Sequence, residues 1–515
     1  MKSFHENSFR SMNGFSFAIF LAVTVTTVSL AGCARLPIGI EPQARMFDTN
    51  SLDAGSAVRT AADSGTPWPA AAWWKAYGDP QLSTLVEQAT TGNPTLRMAD
   101  ARIVRARALA DGAKSSLWPS ISAGAALTYE HFTENQFYRP PYAGEEYWNN
   151  RSTFDLFYNL DLWGKNRAAL SAALDNVRVA DAEARVVKLS LETAVVRTYI
   201  QLSLQFIVQD IARSTLRQRQ DILAITQKRL AAGLATEFER SQAESPVPAT
   251  RAELERVSET IDLLRNQLSA LAGKGPGYGE QISRPTLSLN VPIAVPSALP
   301  ADLVGRRPDV AAQRWRVESA GKNIKVAKAA FYPNINLSAF VGWTAIGFSK
   351  FLTGGSLSYG MGPAISLPIF EGGRLRSQLG AVTADYDSAV ECYNLTLIQA
   401  LQDVSNSLVT MRSLERQRAE ADQANALAER AYMIAVRGYR AGLTDYLNVI
   451  NAQNQTLIEA LRIAQIQARR LDAHALLMQA LGGGASADTP VGRLSAGQKD
   501  DTSRLYRKTA KAGMQ

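Results

Sequence analysis

Leu357-Ser-Tyr-Gly-Met-Gly-Pro-Ala-Ile-Ser-Leu-Pro-Ile369, then Phe370-Glu-Gly-Gly-Arg374 and an unbroken run to Arg437, is the stretch that decides the fold. Leu357, Tyr359, Met361, Pro363, Ile365, Leu367 and Ile369 fall on one face of an extended chain, and Ser358, Gly360, Gly362, Ala364 and Ser366 on the other. Period-two alternation of this length predicts a strand with one apolar and one small or polar face. Past Gly373 the period changes. Leu375, Leu379, Val382, Tyr386, Ala389, Tyr393, Leu397, Leu401, Val404, Leu408 and Met411 recur at three- and four-residue steps, the stripe of a helix. Arg374–Arg437 holds no proline and one glycine, Gly380. At 1.5 Å per residue the run predicts a helix on the order of 100 Å long, several times the globular mean.

The same unit occurs earlier. Phe154, Leu156, Tyr158, Leu160 and Leu162 alternate with polar neighbours, and Trp163-Gly164-Lys165 then opens a run to Ala232 free of glycine and proline. Within that run Val187, Leu191, Val195, Tyr199, Leu202 and Phe206 keep helical spacing. Upstream, Ala113–Ile121 matches Ala327–Ile335 almost position by position, and each leads into another alternating strand. The two long runs end alike, at Leu230-Ala-Ala-Gly233-Leu234 and Tyr439-Arg-Ala-Gly442-Leu443. The chain is a tandem duplication, each half reading helix, strand, strand, long helix, returning helix.

Around this frame the organisation is as follows. Residues 1–32 read as a signal peptide, with Lys2 and Arg10 ahead of an apolar run too short to span a bilayer. Leu30-Ala-Gly-Cys33 closes it and resembles the bacterial lipoprotein box, which implies an acylated Cys33 and attachment to outer-membrane lipid. Residues 33–78 read as an extended strap on the surface of the body, 79–272 as the first repeat and 273–299 as a Pro- and Gly-rich linker. The second repeat spans 300–484, and 485–515 is a polar tail expected to be disordered. Cys392, the other cysteine, reads as a small packing residue. Pro246 and Pro248 predict a kink early in the first returning helix, which the second repeat lacks.

Composition narrows the function classes. With 46% hydrophobic and 20% charged residues the chain is built to fold. Three histidines, one of them in the signal, and two cysteines cannot assemble a metal cluster or a Cys/His pair, and nothing calls for a cofactor, so the chain does not read as an enzyme. The net charge of +8 is scattered, with no basic stripe interleaved with aromatics, which argues against nucleic acid. Strands of about ten residues match a tilted crossing of the bilayer core. Four cannot close a barrel, since spanning barrels need about eight, so several copies must contribute. A soluble β-sandwich and a periplasmic adaptor or structural coiled-coil lipoprotein are the competing readings. An adaptor would carry one hairpin arm, whereas here both copies interrupt their helices with paired amphipathic strands.

Asp302–Val310, Val326–Ile335, Leu367–Arg374, Leu160–Gly164 and the turn Gly438–Leu447 resemble the NodT branch of the TolC-like outer-membrane efflux lipoproteins, over about residues 70–484. The resemblance implies a mainly α fold with a membrane β-barrel: a homotrimer with a 12-stranded barrel and an α-helical periplasmic tunnel. It implies docking to a periplasmic membrane-fusion adaptor protein and an inner-membrane efflux pump, and passive conduction of drugs, dyes or small organic acids. By the same resemblance the periplasmic gate falls at Glu239, Tyr439, Asp445, Asn448 and Asn451, and the adaptor-docking tips at Gly233, Leu234, Gly442 and Leu443. Asn448 and Asn451 stand where relatives often carry aspartates, which implies a less acidic entrance. Thr236 or Thr444 is expected to cap each returning helix.

Overall fold

The computed structural model describes residues 39–48, 52, 53, 55, 56, 58, 68–288 and 306–484. Cys33 with its lipoprotein box, and the 485–515 tail, lie outside the described residues. The element order is α1 (Pro80–Gly92), α2 (Pro94–Ser115), β1 (Ser120–His131), β2 (Glu146–Asn159), α3 (Lys165–Ala231), α4 (Glu237–Glu244), α5 (Pro246–Leu271), α6 (Pro308–Ala329), β3 (Asn334–Ile346), β4 (Leu357–Ser366), α7 (Arg374–Arg440) and α8 (Tyr446–Ala480). Both long helices, α3 and α7, have 67 residues. Among the described residues no helix is long and apolar enough to cross a membrane.

The chain divides into two compact units, and each draws on both repeats. One unit holds Val104–Arg178 and Arg314–Cys392, and with them all four strands. They form a single antiparallel sheet in the order β1-β2-β3-β4. The register puts Ile121 opposite Leu156, Leu156 opposite Ala339 and Ala339 opposite Met361, and Phe154, Val341 and Tyr359 form the next rank. One face is therefore almost wholly apolar and stands open, with Ile121 71%, Tyr359 76% and Met361 91% exposed. The other carries Thr153, Asp155, Ser338, Gly342, Ser358 and Gly362. Gly342 lies so close to β2 that a Cβ there would meet the Ser152 carbonyl oxygen at 2.0 Å. β2 begins earlier than alternation alone indicated, at Glu146, whereas β4 stops at Ser366, three residues short of the alternation that runs to Ile369.

Each sheet-to-helix junction is locked by its own side chains. Asp161 accepts hydrogen bonds from the Asn166 and Arg167 amides, both at 2.9 Å, and from Arg167 Nε. These donors hold its carboxyl below the usual carboxylate range despite partial burial. Glu371 pairs with Arg374 at the corresponding turn. The Trp163 indole donates to the Pro333 carbonyl at 2.7 Å and stacks on Tyr332.

The other unit holds 47–103, 179–313 and the chain from Tyr393 on. Its core is the predicted stripe: Leu191, Val195, Tyr199 and Leu202 of α3 meet Val404, Leu408 and Met411 of α7, with Leu471 and Leu477 of α8. Trp73, Trp74 and Tyr77 enter that core, so this end of the strap is buried rather than laid on the surface. The reason is size: three aromatic rings can bury a large apolar area only by leaving the surface. Arg307 of the Arg-Arg-Pro-Asp motif is buried, bidentate to Asp309, bonded to Asp403 at 3.2 Å and donating to the Ala480 carbonyl. It ties the start of α6 to the end of α8. Cys392 is exposed on α7 and forms no disulfide, unlike the packing role read from the sequence.

Candidate functional site

The two long helices end in turns built alike, both within the second unit. Leu234 N–H bonds the Arg229 carbonyl at 2.8 Å and Gly233 N–H the Leu230 carbonyl at 2.9 Å. In the second turn Leu443 bonds Gly438 at 2.9 Å and Gly442 bonds Tyr439 at 3.1 Å. This pair of backward bonds satisfies helix-end carbonyls and needs a left-handed residue, supplied by Gly233 (φ 70°) and Gly442 (φ 77°). Leu234 and Leu443 stand out from the tips, 66% and 84% exposed. Phe238 and Leu447 project at matching positions one turn later and are also exposed.

The returning helices start with different caps. Thr236 and Glu239 form a capping box: the Thr236 hydroxyl accepts from the Glu239 amide at 3.2 Å, and Glu239 Oε2 accepts from the Thr236 amide at 2.8 Å. In the second turn Asp445, not Thr444, is the cap. Its carboxylate accepts from the Asn448 amide at 3.1 Å and the Asn448 side chain at 2.8 Å. A carboxylate at a helix N-terminus gains from the helix dipole as well as the bond, which favours it over the neighbouring hydroxyl. Thr444 instead accepts from the Asn448 amide group at 2.8 Å. Asn451 is exposed one turn further along α8. Replacing Asp445 with alanine is expected to weaken the start of α8 by about 1 kcal/mol, and Thr444→Ala by less. Hydrogen exchange at the Asn448 amide checks this, since equal effects would return the cap to Thr444.

Tyr439 occupies the interior of the site. It is 1% exposed, in a cluster with Ile222, Ala243, Tyr446 and Val449. Its hydroxyl lies 3.1 Å from Thr226 Oγ1, and Thr226 donates onward to the Ile222 carbonyl. Arg229 joins the two turns: its guanidinium donates to the Tyr439 carbonyl at 2.9 Å and the Leu234 carbonyl at 3.2 Å, and lies over the Tyr439 ring. Two helix C-terminal ends thus share one cation, the arrangement their dipoles favour. Thr226 and Arg229 were not legible as site residues, because they sit inside an ordinary helical stripe. Phe238 and Leu447 could have been found by laying one repeat on the other.

The first returning helix is divided. α4 ends at Glu244 and α5 begins at Pro246, the position where a missing N–H does least harm. Arg219 of α3 donates to the Pro246 carbonyl at 3.1 Å and to Thr250. α8, without prolines, runs unbroken for 35 residues.

A family model described as outer membrane efflux protein matches residues 85–274 and 299–483. The fusaric acid resistance protein FusA of Burkholderia cepacia is 47% identical over 367 residues, covering 71% of this chain and 69% of that protein. The multidrug resistance outer membrane protein MdtP of Escherichia coli strain K12 is 28% identical over 484 residues, covering 92% of this chain and 98% of its own. Among solved structures, the outer membrane protein VceC of Vibrio cholerae is similar with a TM-score of 0.76 at 33% identity, over 82% of this chain and 100% of that one.

Proposed function

This chain belongs to the outer membrane efflux protein family and is an outer-membrane efflux channel, and from that premise we infer that three copies close one conduit. The observation that carries the inference is the sheet. Four strands with an open apolar face end in two unpaired edges, β1 and β4, which hydrocarbon does not tolerate. Joining β4 of one copy to β1 of the next satisfies both, and three copies give twelve strands, within the range of spanning barrels. The helices that leave the sheet then form a tunnel ending at the paired turns.

At those turns, Glu239, Asp445, Asn448 and Asn451 form the closure where copies converge, and Tyr439 holds it from within. With asparagine at two positions, this mouth carries less negative charge than it would with aspartates there, and so a weaker pull on cations. The exposed tips Gly233-Leu234 and Gly442-Leu443, with Phe238 and Leu447, offer apolar anchors to a periplasmic adaptor that couples the channel to an inner-membrane pump. Cys33 carries the lipid anchor. The relatives' names, fusaric acid resistance and multidrug resistance, support a cargo of small organic acids and drugs.

Accumulation of dyes, antibiotics and aromatic acids in a deletion strain, complemented with wild type or Cys33→Ala, tests the transport reading. Retained compounds should leave the cells on complementation, and no change for any compound would refute this cargo class. For the gate, Glu239→Gln combined with Tyr439→Phe is expected to raise conductance of the purified oligomer in a planar bilayer at least about twofold, since the first removes a charge from the mouth and the second the hydroxyl that meets Thr226 at 3.1 Å, a bond of about 1 kcal/mol. Unchanged conductance would place the closure elsewhere.

A further inference from the structure

We propose that the cavity enclosed by α3, α5 and α8 binds a small monocarboxylate with an apolar body, its acid group seated on Arg219. The proposal rests on the reading of this chain as a conduit for small organic acids, and it names where the chain holds one. The cavity has a volume of about 390 Å³, the size of a small-molecule pocket. Its wall is mainly aliphatic, with Leu204, Val208 and Ile211 from α3 and Leu457 and Leu461 from α8, all half-buried. Arg219 stands at the end of the cavity where α5 begins.

Arg219 selects the occupant. Its Nη1 donates to the Pro246 carbonyl at 3.1 Å and to the Thr250 hydroxyl, both neutral acceptors. Among the described residues its Nε and Nη2 make no hydrogen bond, and Nε is shut off from solvent. Those two donors form the edge of a guanidinium that receives both oxygens of a carboxylate. The other arginines with a buried, unbonded Nε have their charge answered. Arg185, Arg240 and Arg470 pair with carboxylates, and Arg229 lies over the Tyr439 ring. Among the described residues Arg219 has neither. Burial disfavours its cation, and a charge drawn out of water is stable only when it is paired. The carboxylate on the cavity wall, Glu253, is taken by Arg256, which donates to both its oxygens at 2.8 and 2.5 Å. The lining therefore carries one uncompensated positive charge. A singly charged anion satisfies it, whereas a second acid group would have to sit against aliphatic side chains. Ile222 of the Tyr439 cluster follows Arg219 by about one helical turn, so an acid held here lies beside the closure.

The test is calorimetric titration of the full-length oligomer in lipid nanodiscs, near neutral pH, with para-butylbenzoate and with its neutral amide, para-butylbenzamide. Wild type should bind the acid saturably, one per chain, and the amide at least about tenfold more weakly, the loss of one charge-assisted hydrogen bond. Arg219→Gln keeps a donor for the Pro246 carbonyl but not the charge, and should weaken the acid by a similar factor while leaving the amide unchanged. Ala249→Trp, at an exposed position on the edge of the cavity, should abolish binding of both by filling its mouth. Unchanged circular dichroism and oligomer mass certify the variants. Equal affinity for acid and amide would overturn the proposal, leaving an apolar void that selects nothing. Full binding by both variants would also overturn it, placing the acid elsewhere. So would the absence of saturable binding, the result expected if a second copy of the chain fills the cavity. Accumulation in the deletion strain tests the transport reading by an independent route. Acids that respond there without binding here overturn the pocket alone, and binding lost in both variants upholds the pocket whatever the strain retains.

Discussion

Purified protein carrying Glu192→Gln is expected to gain about 3 kcal/mol of stability as pH rises from 4 to 6.5, whereas the wild type stays nearly level over the same range. Two buried groups of the second unit titrate against each other. Burial in α3 raises the Glu192 carboxyl from 4.5 to about 7, with Lys188 at 3.9 Å opposing the shift. The folded chain keeps a proton there that the unfolded chain releases, so this stabilisation is full below pH 4.5 and is lost as pH rises through 7. Burial in α8 lowers His474 from 6.5 to about 4, helped by Arg470, and its Nδ1 lies 2.9 Å from the Tyr77 hydroxyl. The folded chain refuses a proton that the unfolded chain accepts, so this stabilisation is present above pH 6.5 and is lost as pH falls through 4. The two slopes have opposite signs and similar size, and between about 4.5 and 6.5 they offset each other. Removing either exposes the other: His474→Gln should show stability falling between pH 4.5 and 7. The apparent unfolding midpoint in detergent, measured against pH for the three proteins, decides it. A wild-type slope as steep as either variant's would sink the idea.

Gly342→Val is expected to abolish insertion of the barrel. The new Cβ would lie 2.0 Å from the Ser152 carbonyl oxygen and 2.7 Å from Thr153 Cα, both backbone atoms of the paired strand. Backbone cannot step aside as a side chain does, so β2 and β3 must separate. In a lipid environment every ladder bond lost leaves polar groups costing several kcal/mol each. Gly360→Val should be milder, because its Cβ meets the end of the Phe340 ring at 2.8 Å and that ring can turn. Gly124→Val meets nothing within 4 Å and serves as the control. The amount of heat-modifiable protein in the outer membrane should fall in the order Gly124→Val, Gly360→Val, Gly342→Val. Normal insertion of Gly342→Val would show that the pairing tolerates the extra atom.

Much of this architecture is legible in the sequence because two different periods, two and three-to-four, abut without a linker at Phe370–Arg374. A single period could have been shared by many folds. The duplication then supplied an internal check, since a pattern seen twice at matching positions is hard to produce by chance. The long-helix stripe from Leu379 to Met411 is the buried one for the same reason. What escaped the sequence depended on contacts between distant segments. That Arg307 would reach Ala480, that Trp73 and Trp74 would be drawn inward, and that Arg229 would bridge two turns are facts of tertiary packing with no local signature. The capping residue of α8 was misassigned because Thr444 and Asp445 are both good caps and only the backbone at the turn decides between them.

The shared Arg229 also constrains how such a chain can change over evolutionary time. Arg229 and Thr226 meet Tyr439 at one height, while Tyr199 and Val404 fix α3 and α7 within a common core. Deleting seven residues between Tyr199 and Thr226 would draw one turn back by about 10 Å and leave the other in place. A loss of two or five would also swing its side chains to the wrong side. Variation in length along this part of the molecule is therefore admissible only as matched steps in both halves of the gene, near whole multiples of the helical repeat. Single insertions should be confined to the segments that join the strands.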